Sequence, residues 1–189
     1  MSDLTDMDRN FLLALARTTI EAKLKGQGSI EKPKEISSAL QEKRGCFVTL
    51  HKHGVLRGCI GTIEPQKSLL EGVEENAVNA AFGDPRFPAM TEDELEDIEI
   101  EVSVLTTPRV LEYSDADDLK KKLRPGVHGV ILSRGYQRAT FLPQVWDQLP
   151  RVEDFLAHLC NKAGMQRSCW TDPQTVIRVY EAAYFSEKK

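Results

Sequence analysis

Cys59 is the residue whose company most suggests chemistry. It stands in the string Leu56-Arg57-Gly58-Cys59-Ile60-Gly61-Thr62. A thiolate is both a nucleophile and a metal ligand, and a guanidinium beside it favours the ionised form. Gly58 and Gly61 leave room for a ligand or another backbone to approach closely. The same position also reads as a small apolar residue buried beneath a helix, since free cysteine is among the most buried residue types. His128 is the second candidate, as a general base or ligand; a core histidine hydrogen-bonded to Thr140 explains it equally. Glu99 and Glu101 read as a solvated strand face, and His51 and His53 as turn residues in solvent. The remaining cysteines, 46, 160 and 169, complete no C-x-x-C pair, and no histidines show H-E-x-x-H spacing. His158, Cys160 and Cys169 could meet around a metal, but the spacing specifies no metal and leaves the cofactor unknown.

Composition narrows the classes. The 189 residues are 41% hydrophobic and 29% charged, with 12 Gly and 9 Pro, an ordinary globular mixture. Acids outnumber bases 29 to 25, a formal charge of −4, so non-specific nucleic-acid binding is not expected. No stretch approaches the roughly 20 apolar residues of a membrane span. The acidic start, Met1 to Asp6, lacks the basic and apolar regions of a signal peptide. The cytoplasm, and free thiols rather than a disulfide framework, are the expectation.

The elements that must position these residues follow from periodicity and caps. Apolar residues at helical spacing predict helices over 5–25, 68–82 and 152–163, with a short helix or turn over 36–43. Residues 26–33 read as a polar loop. Ser114 with Asp117 reads as the cap of a helix ending at Leu123. Thr91 to Glu94 resembles a capping box. Strands are predicted over 45–51, 55–60, 98–105, 127–132, 136–142 and 175–181. Ile98, Ile100, Val102 and Val104 alternate with Glu99, Glu101, Ser103 and Leu105, the pattern of a half-buried strand. Hairpins mixed with helices predict an α+β fold with a largely antiparallel sheet flanked by helices.

Two hairpins sort the candidates. A three-residue loop at Lys52-His53-Gly54 pairs His51 with Val55, Thr49 with Arg57 and Phe47 with Cys59. Alternation then puts Cys59 and Arg57 on one mixed face and Cys46, Val48, Leu50, Leu56, Gly58 and Ile60 on a core face. A matching loop ending at Gly135 pairs His128 with Thr140 and Val130 with Arg138. From these registers Cys59, Arg57, His128 and Thr140 are expected to line one concave surface.

The string Gly45-Cys46-Phe47-Val48-Thr49-Leu50, with Leu56-Arg57-Gly58-Cys59-Ile60-Gly61-Thr62, resembles the AMMECR protein family, whose prokaryotic members are called AmmeMemoRadiSam system protein A. Asn79-Ala80, Asp84-Pro85-Arg86-Phe87, Glu101-Val102-Ser103-Val104-Leu105, Gly126-Val127-His128-Gly129, Phe141-Leu142-Pro143-Gln144-Val145 and Lys162-Ala163-Gly164 match it too. The resemblance spans nearly the whole chain and implies one domain over residues 5–189, with a larger and a smaller lobe intimately packed. It implies no established activity. It does imply a pathway shared with a Memo-like protein and a radical S-adenosylmethionine protein as partners.

Two functions are carried forward. In the first the protein is a thiol-dependent enzyme or enzyme component. Cys59 is its nucleophile or radical partner, Arg57 holds the thiolate or an anionic group, and His128 moves protons. Thr140 and Gln144 orient His128 or the substrate, Gly58, Gly61 and Thr62 border it, and Asp84 and Arg86 shape the rim. In the second the same pocket is a non-catalytic module for a peptide, nucleotide or partner protein.

Overall fold

The structure is a computed structural model and describes residues 4–27 and 36–187. The predicted loop over 26–33 therefore lies, beyond Gln27, outside the described residues. The chain divides into two units, one formed by the chain up to Leu105 together with the segment from Ala183, the other by Thr106–Ala182.

The first unit opens with α1 (Asp6–Leu24), started by a reciprocal cap: Thr5 Oγ1 accepts from the Asp8 N–H at 3.1 Å, and the Asp8 carboxylate accepts from the Thr5 N–H at 2.9 Å. After α2 (Ser38–Gln41) come β1 (Cys46–Lys52), β2 (Val55–Thr62), α3 (Leu69–Phe82) and β3 (Ile98–Leu105). The last strand of the chain, Ala182–Ser186, lies beside β3, giving a four-stranded sheet whose order is β2, β1, β3 and then that strand. Antiparallel pairing joins β1 to both β2 and β3. The core forms where Leu12, Ala16 and Ile20 of α1 and Val73, Ala77 and Ala80 of α3 meet Cys46, Val48, Leu50, Ile98, Ile100 and Val102. Small residues let α3 come close: a Cβ added at Gly58 would lie 2.1 Å from the Ala80 carbonyl oxygen, which only glycine tolerates.

The second unit holds β4 (Arg109–Val110), α4 (Ala116–Lys122), β5 (Gly129–Arg134), β6 (Gln137–Phe141), α5 (Val152–Lys162) and β7 (Val176–Tyr180). Its sheet runs β4, β7, β5, β6. The core gathers Leu119, Val130, Leu132, Trp146, Phe155, Leu159, Ile177 and Val179. Trp146 stacks on Phe155 with ring centroids 3.6 Å apart. The final strand of the chain, Ala182–Ser186, is β8. The fold is α+β with two antiparallel sheets.

Several expectations are corrected. The first hairpin turns on two residues, His53 and Gly54, both at positive φ (52° and 77°), which suits a mirror-image turn matched to the strand twist. A bulge between Leu50 and His51 then shifts the register, so Thr49 faces Cys59, Phe47 faces Gly61 and His51 faces Leu56. His51 is thus a strand residue, half-buried, not a turn residue. The second hairpin also has a two-residue loop, Gly135-Tyr136, and pairs Ile131 with Thr140 and Ser133 with Arg138. The α4 cap is Asp115, which accepts from the N–H groups of Asp117 and Asp118 at 2.9 Å. Cys160 and Cys169 form a disulfide, against the expected free thiols. They lie on α5 and the following turn, and sequence distance does not reveal such proximity. β4 and β8 were not anticipated; β4 has only two residues, too short for a period-two signal.

Candidate functional site

The geometry around Cys59 follows from the close approach of α3. Gly58 faces α3, so Cys59 turns to the opposite side of the sheet. There the Thr49 hydroxyl donates to Cys59 Sγ at 3.3 Å. The Cys59 N–H donates to Asp84 Oδ2 at 2.9 Å, and its carbonyl accepts from Arg86 Nη2 at 3.2 Å. β2 is an edge strand, and the Asp84–Arg86 pair supplies the acceptor and donor that a neighbouring strand would otherwise provide at this position. Asp84 is buried and Arg86 half-exposed, with Arg86 Nη2 2.6 Å from Asp84 Oδ2. Hydrogen bonds from Arg86, then those from backbone N–H groups, hold the Asp84 carboxyl well below the usual range against the opposing effect of burial. The Arg86 pKa is raised, chiefly by Asp84, with Cys59 adding a smaller electrostatic contribution.

Arg57 is placed otherwise than alternation implied. It sits at the bulge, and its guanidinium donates from Nε and Nη2 to Glu94 at 2.9 and 2.8 Å and from Nη2 to the Pro88 carbonyl at 3.0 Å. Its charge is thereby committed to Glu94. The cation beside the thiol is Arg86.

Cys46 lies on the α3 side, fully buried, where burial pushes its thiol up to about 11. Gly61 lies under the Phe47 ring, and Thr62 is exposed at the end of β2. These residues, with Gly58, Arg57, Asp84 and Arg86, belong to the first unit; His128, Thr140 and Gln144 belong to the second. Within the second unit the expected pairing of His128 with Thr140 is replaced. The register moves by three residues, an odd number, so Thr140 joins the face of Ile131. Its hydroxyl donates to the Val130 carbonyl at 3.0 Å and meets the Tyr180 hydroxyl at 3.1 Å. His128 precedes β5, is 2% exposed, and has Arg124 N–H groups 3.2 Å from Nδ1 and 3.1 Å from Nε2. A neutral imidazole has one acceptor nitrogen, so only one of these contacts is an accepted bond. Burial, then the charge of Arg124, lowers the His128 pKa. Gln144 is exposed.

Among the described residues no group of three or more His, Cys, Asp or Glu side chains is spaced to hold a metal ion, and no helix is long and apolar enough to cross a membrane. Cys160 and Cys169 are joined to each other, and His158 is exposed.

The AMMECR1 family profile matches residues 13–185. The chain belongs to the AMMECR1 family. A family relative from Methanothermobacter thermautotrophicus is 43% identical over 181 residues, covering 93% of this chain and 92% of the relative. One from Methanopyrus kandleri is 44% identical over 194 residues, covering 98% and 91%. The crystal structure of an uncharacterised protein from Pyrococcus horikoshii superimposes with a TM-score of 0.84 at 38% identity, over 94% of this AMMECR1-family chain and 90% of that one.

Sequence reasoning gave no site role to four residues on the Cys59 face. Thr49 lies opposite Glu101 and His51 opposite Glu99 on β3. Burial pushes the Glu101 carboxyl up, partly offset by the nearby His51. The available signal was alternation itself: Thr49 and His51 share parity with Phe47, and Glu99 with Glu101, on two strands that pair.

Proposed function

We propose that this AMMECR1-family protein is a thiol-dependent enzyme, or the thiol-bearing component of one, with Cys59 as its nucleophile. The observation that carries the reading is the sulfur's setting: it accepts the Thr49 hydroxyl at 3.3 Å on the sheet face turned away from α3, with the Arg86 guanidinium bonded to the same residue's carbonyl. A hydroxyl donating to the sulfur and a cation nearby are the surroundings in which cysteines act as nucleophiles. The chemistry is nucleophilic attack on an electrophilic carbon. The family resemblance, not the geometry, supports placing the protein beside a Memo-like and a radical S-adenosylmethionine protein.

Site-resolved alkylation across a pH series tests this. At mildly acidic pH Cys59 should label well before Cys46, whose sulfur is buried. Arg86→Ala should slow labelling of Cys59 several-fold, and Arg86→Lys should keep part of the rate because a point charge remains. If Cys59 reacts no faster than Cys46 in the native protein, the thiol reading fails and a non-catalytic binding module becomes the better account.

A further inference from the structure

The sheet face that carries Cys59 also carries His51, Glu99 and Glu101, which the proposed function leaves unused. Thr49 stands opposite Cys59 on one side and Glu101 on the other, and His51, two residues along β1, stands opposite Glu99. His51 is therefore the diagonal neighbour of both Cys59 and Glu101. Diagonal neighbours in an antiparallel pair lie roughly 7–8 Å apart, with Cβ atoms somewhat closer. A thiol and an extended imidazole span that separation with a hydrogen bond between them. The bulge matters here: it sets His51 opposite the apolar Leu56 and sends the Arg57 guanidinium to Glu94, so no cation faces the imidazole from β2 at that level.

We propose that His51 is the base that takes the Cys59 proton as the thiol attacks, with Glu99 and Glu101 positioning the imidazole and stabilising the imidazolium. This rests on Cys59 being the nucleophile. The step balances without an oxidant or co-reactant: the sulfur–carbon bond forms, the bond from carbon to its leaving group breaks, and the sulfur's proton moves to the imidazole. The titratable groups around His51 are Glu99 opposite it and Glu101 diagonal to it on β3, and Cys59 diagonal to it on β2, with Arg86 at the Cys59 carbonyl. Lys52 and Arg57 are engaged by Glu94, and His53 lies by Asp97. Carboxylates on the β3 side of the imidazole stabilise the imidazolium as it forms, and the Thr49 hydroxyl and the Arg86 guanidinium lie by Cys59 to stabilise the sulfur as its proton leaves. The acids act through His51, so they are positioning residues.

The test is the rate of Cys59 alkylation by iodoacetamide in the full chain, read by peptide mass spectrometry from about pH 5 to 9. His51→Gln should slow labelling near neutral pH on the order of tenfold, the gap closing toward high pH where thiolate forms without a base. Glu101→Gln and Glu99→Gln should slow it by smaller factors, and Glu101→Asp should recover most of the loss. His53→Asn, which alters the other imidazole of the hairpin, should leave the profile unchanged. If Cys59 still outpaces Cys46 but the His51→Gln profile overlays the native one, the base is not His51 while the thiol reading stands. If His51→Gln fails to fold by circular dichroism, the two glutamine variants decide: profiles identical to the native one overturn the proposal. If native Cys59 does not outpace Cys46, it is the thiol reading that falls.

Discussion

Arg57 shows how one residue can change role while staying in place. Its guanidinium and the Glu94 carboxylate are both largely removed from solvent, with side chains 10% and 14% exposed. The bonds from Arg57 pull the Glu94 carboxyl down to about 2, outweighing burial. Arg57→Ala leaves the partly buried Glu94 with Lys52 as its remaining cation, and should cost about 1–3 kcal/mol of stability, read by urea unfolding at neutral pH. It should not act as a direct change in thiolate stabilisation, because Arg86 is the cation at Cys59. The pH dependence follows from the sign of the shift. A carboxylate whose folded value is depressed contributes stability that is complete above its unfolded value, about 4.3, and is lost as pH falls toward the folded value. Glu94 and Asp84 are both depressed. The native protein should therefore lose stability on acidification below about pH 4.5, and Glu94→Gln should flatten that loss. An unchanged acid limb in Glu94→Gln would show that the Arg57 pair contributes little.

At the scale of elements, the decisive contact is α3 against β1 and β2. Val73 is fully buried in that contact, and Gly58 admits the Ala80 backbone. Val73→Asp places an unpaired charge there and should cost several kcal/mol, a large share of a typical ~5–15 kcal/mol stability. Gly58→Ala must push backbone against backbone, with an overpacking cost of about 1–3 kcal/mol or more. Because Gly58 precedes Cys59, a displaced β2 should also disturb the Thr49–Cys59 contact and slow Cys59 labelling. A Gly58→Ala protein with native melting temperature and native labelling would mean that α3 yields easily. The two hairpins teach a related lesson. Left-handed glycines at 54 and 135 were readable from sequence, yet both loops proved one residue shorter than expected. In the first, the shorter loop and the bulge together shift the pairing by two from Gly58 onward, so Thr49 and Cys59 keep their face; between the bulge and the turn the shift is one, and Leu56, expected on the core face, lies opposite His51. In the second, the shift is odd and Thr140 changes face.

For the whole molecule, two units with separate cores carry separate reporters. Both tryptophans, Trp146 and Trp170, lie in the second unit, as does the Cys160–Cys169 disulfide. The bridge spans a sequence separation of 9, and closing so short a loop stabilises by about 2–3 kcal/mol in the chain-entropy treatment. Replacing both cysteines with alanine should lower the melting transition seen by tryptophan fluorescence. An unchanged fluorescence transition would show that the α5 packing holds this segment without the bridge.

The sequence by itself determined what depends on neighbours along the chain. Helix spans, the alternation of β3 and the face of Cys59 follow from local sterics, from caps such as Thr5 and Ser68, and from a side-chain period of two. The family was legible from contiguous strings such as Leu56 to Thr62. Tertiary structure alone decided what depends on loop length and long-range pairing: the bulge at Arg57 and its pairing with Glu94, the arrival of Arg86 at Cys59, the joining of Cys160 to Cys169, and the placing of Thr49 between Cys59 and Glu101 with His51 beside it, opposite Glu99. The physical reason is that a one-residue change in a turn costs little locally, yet it resets every cross-strand partner beyond it.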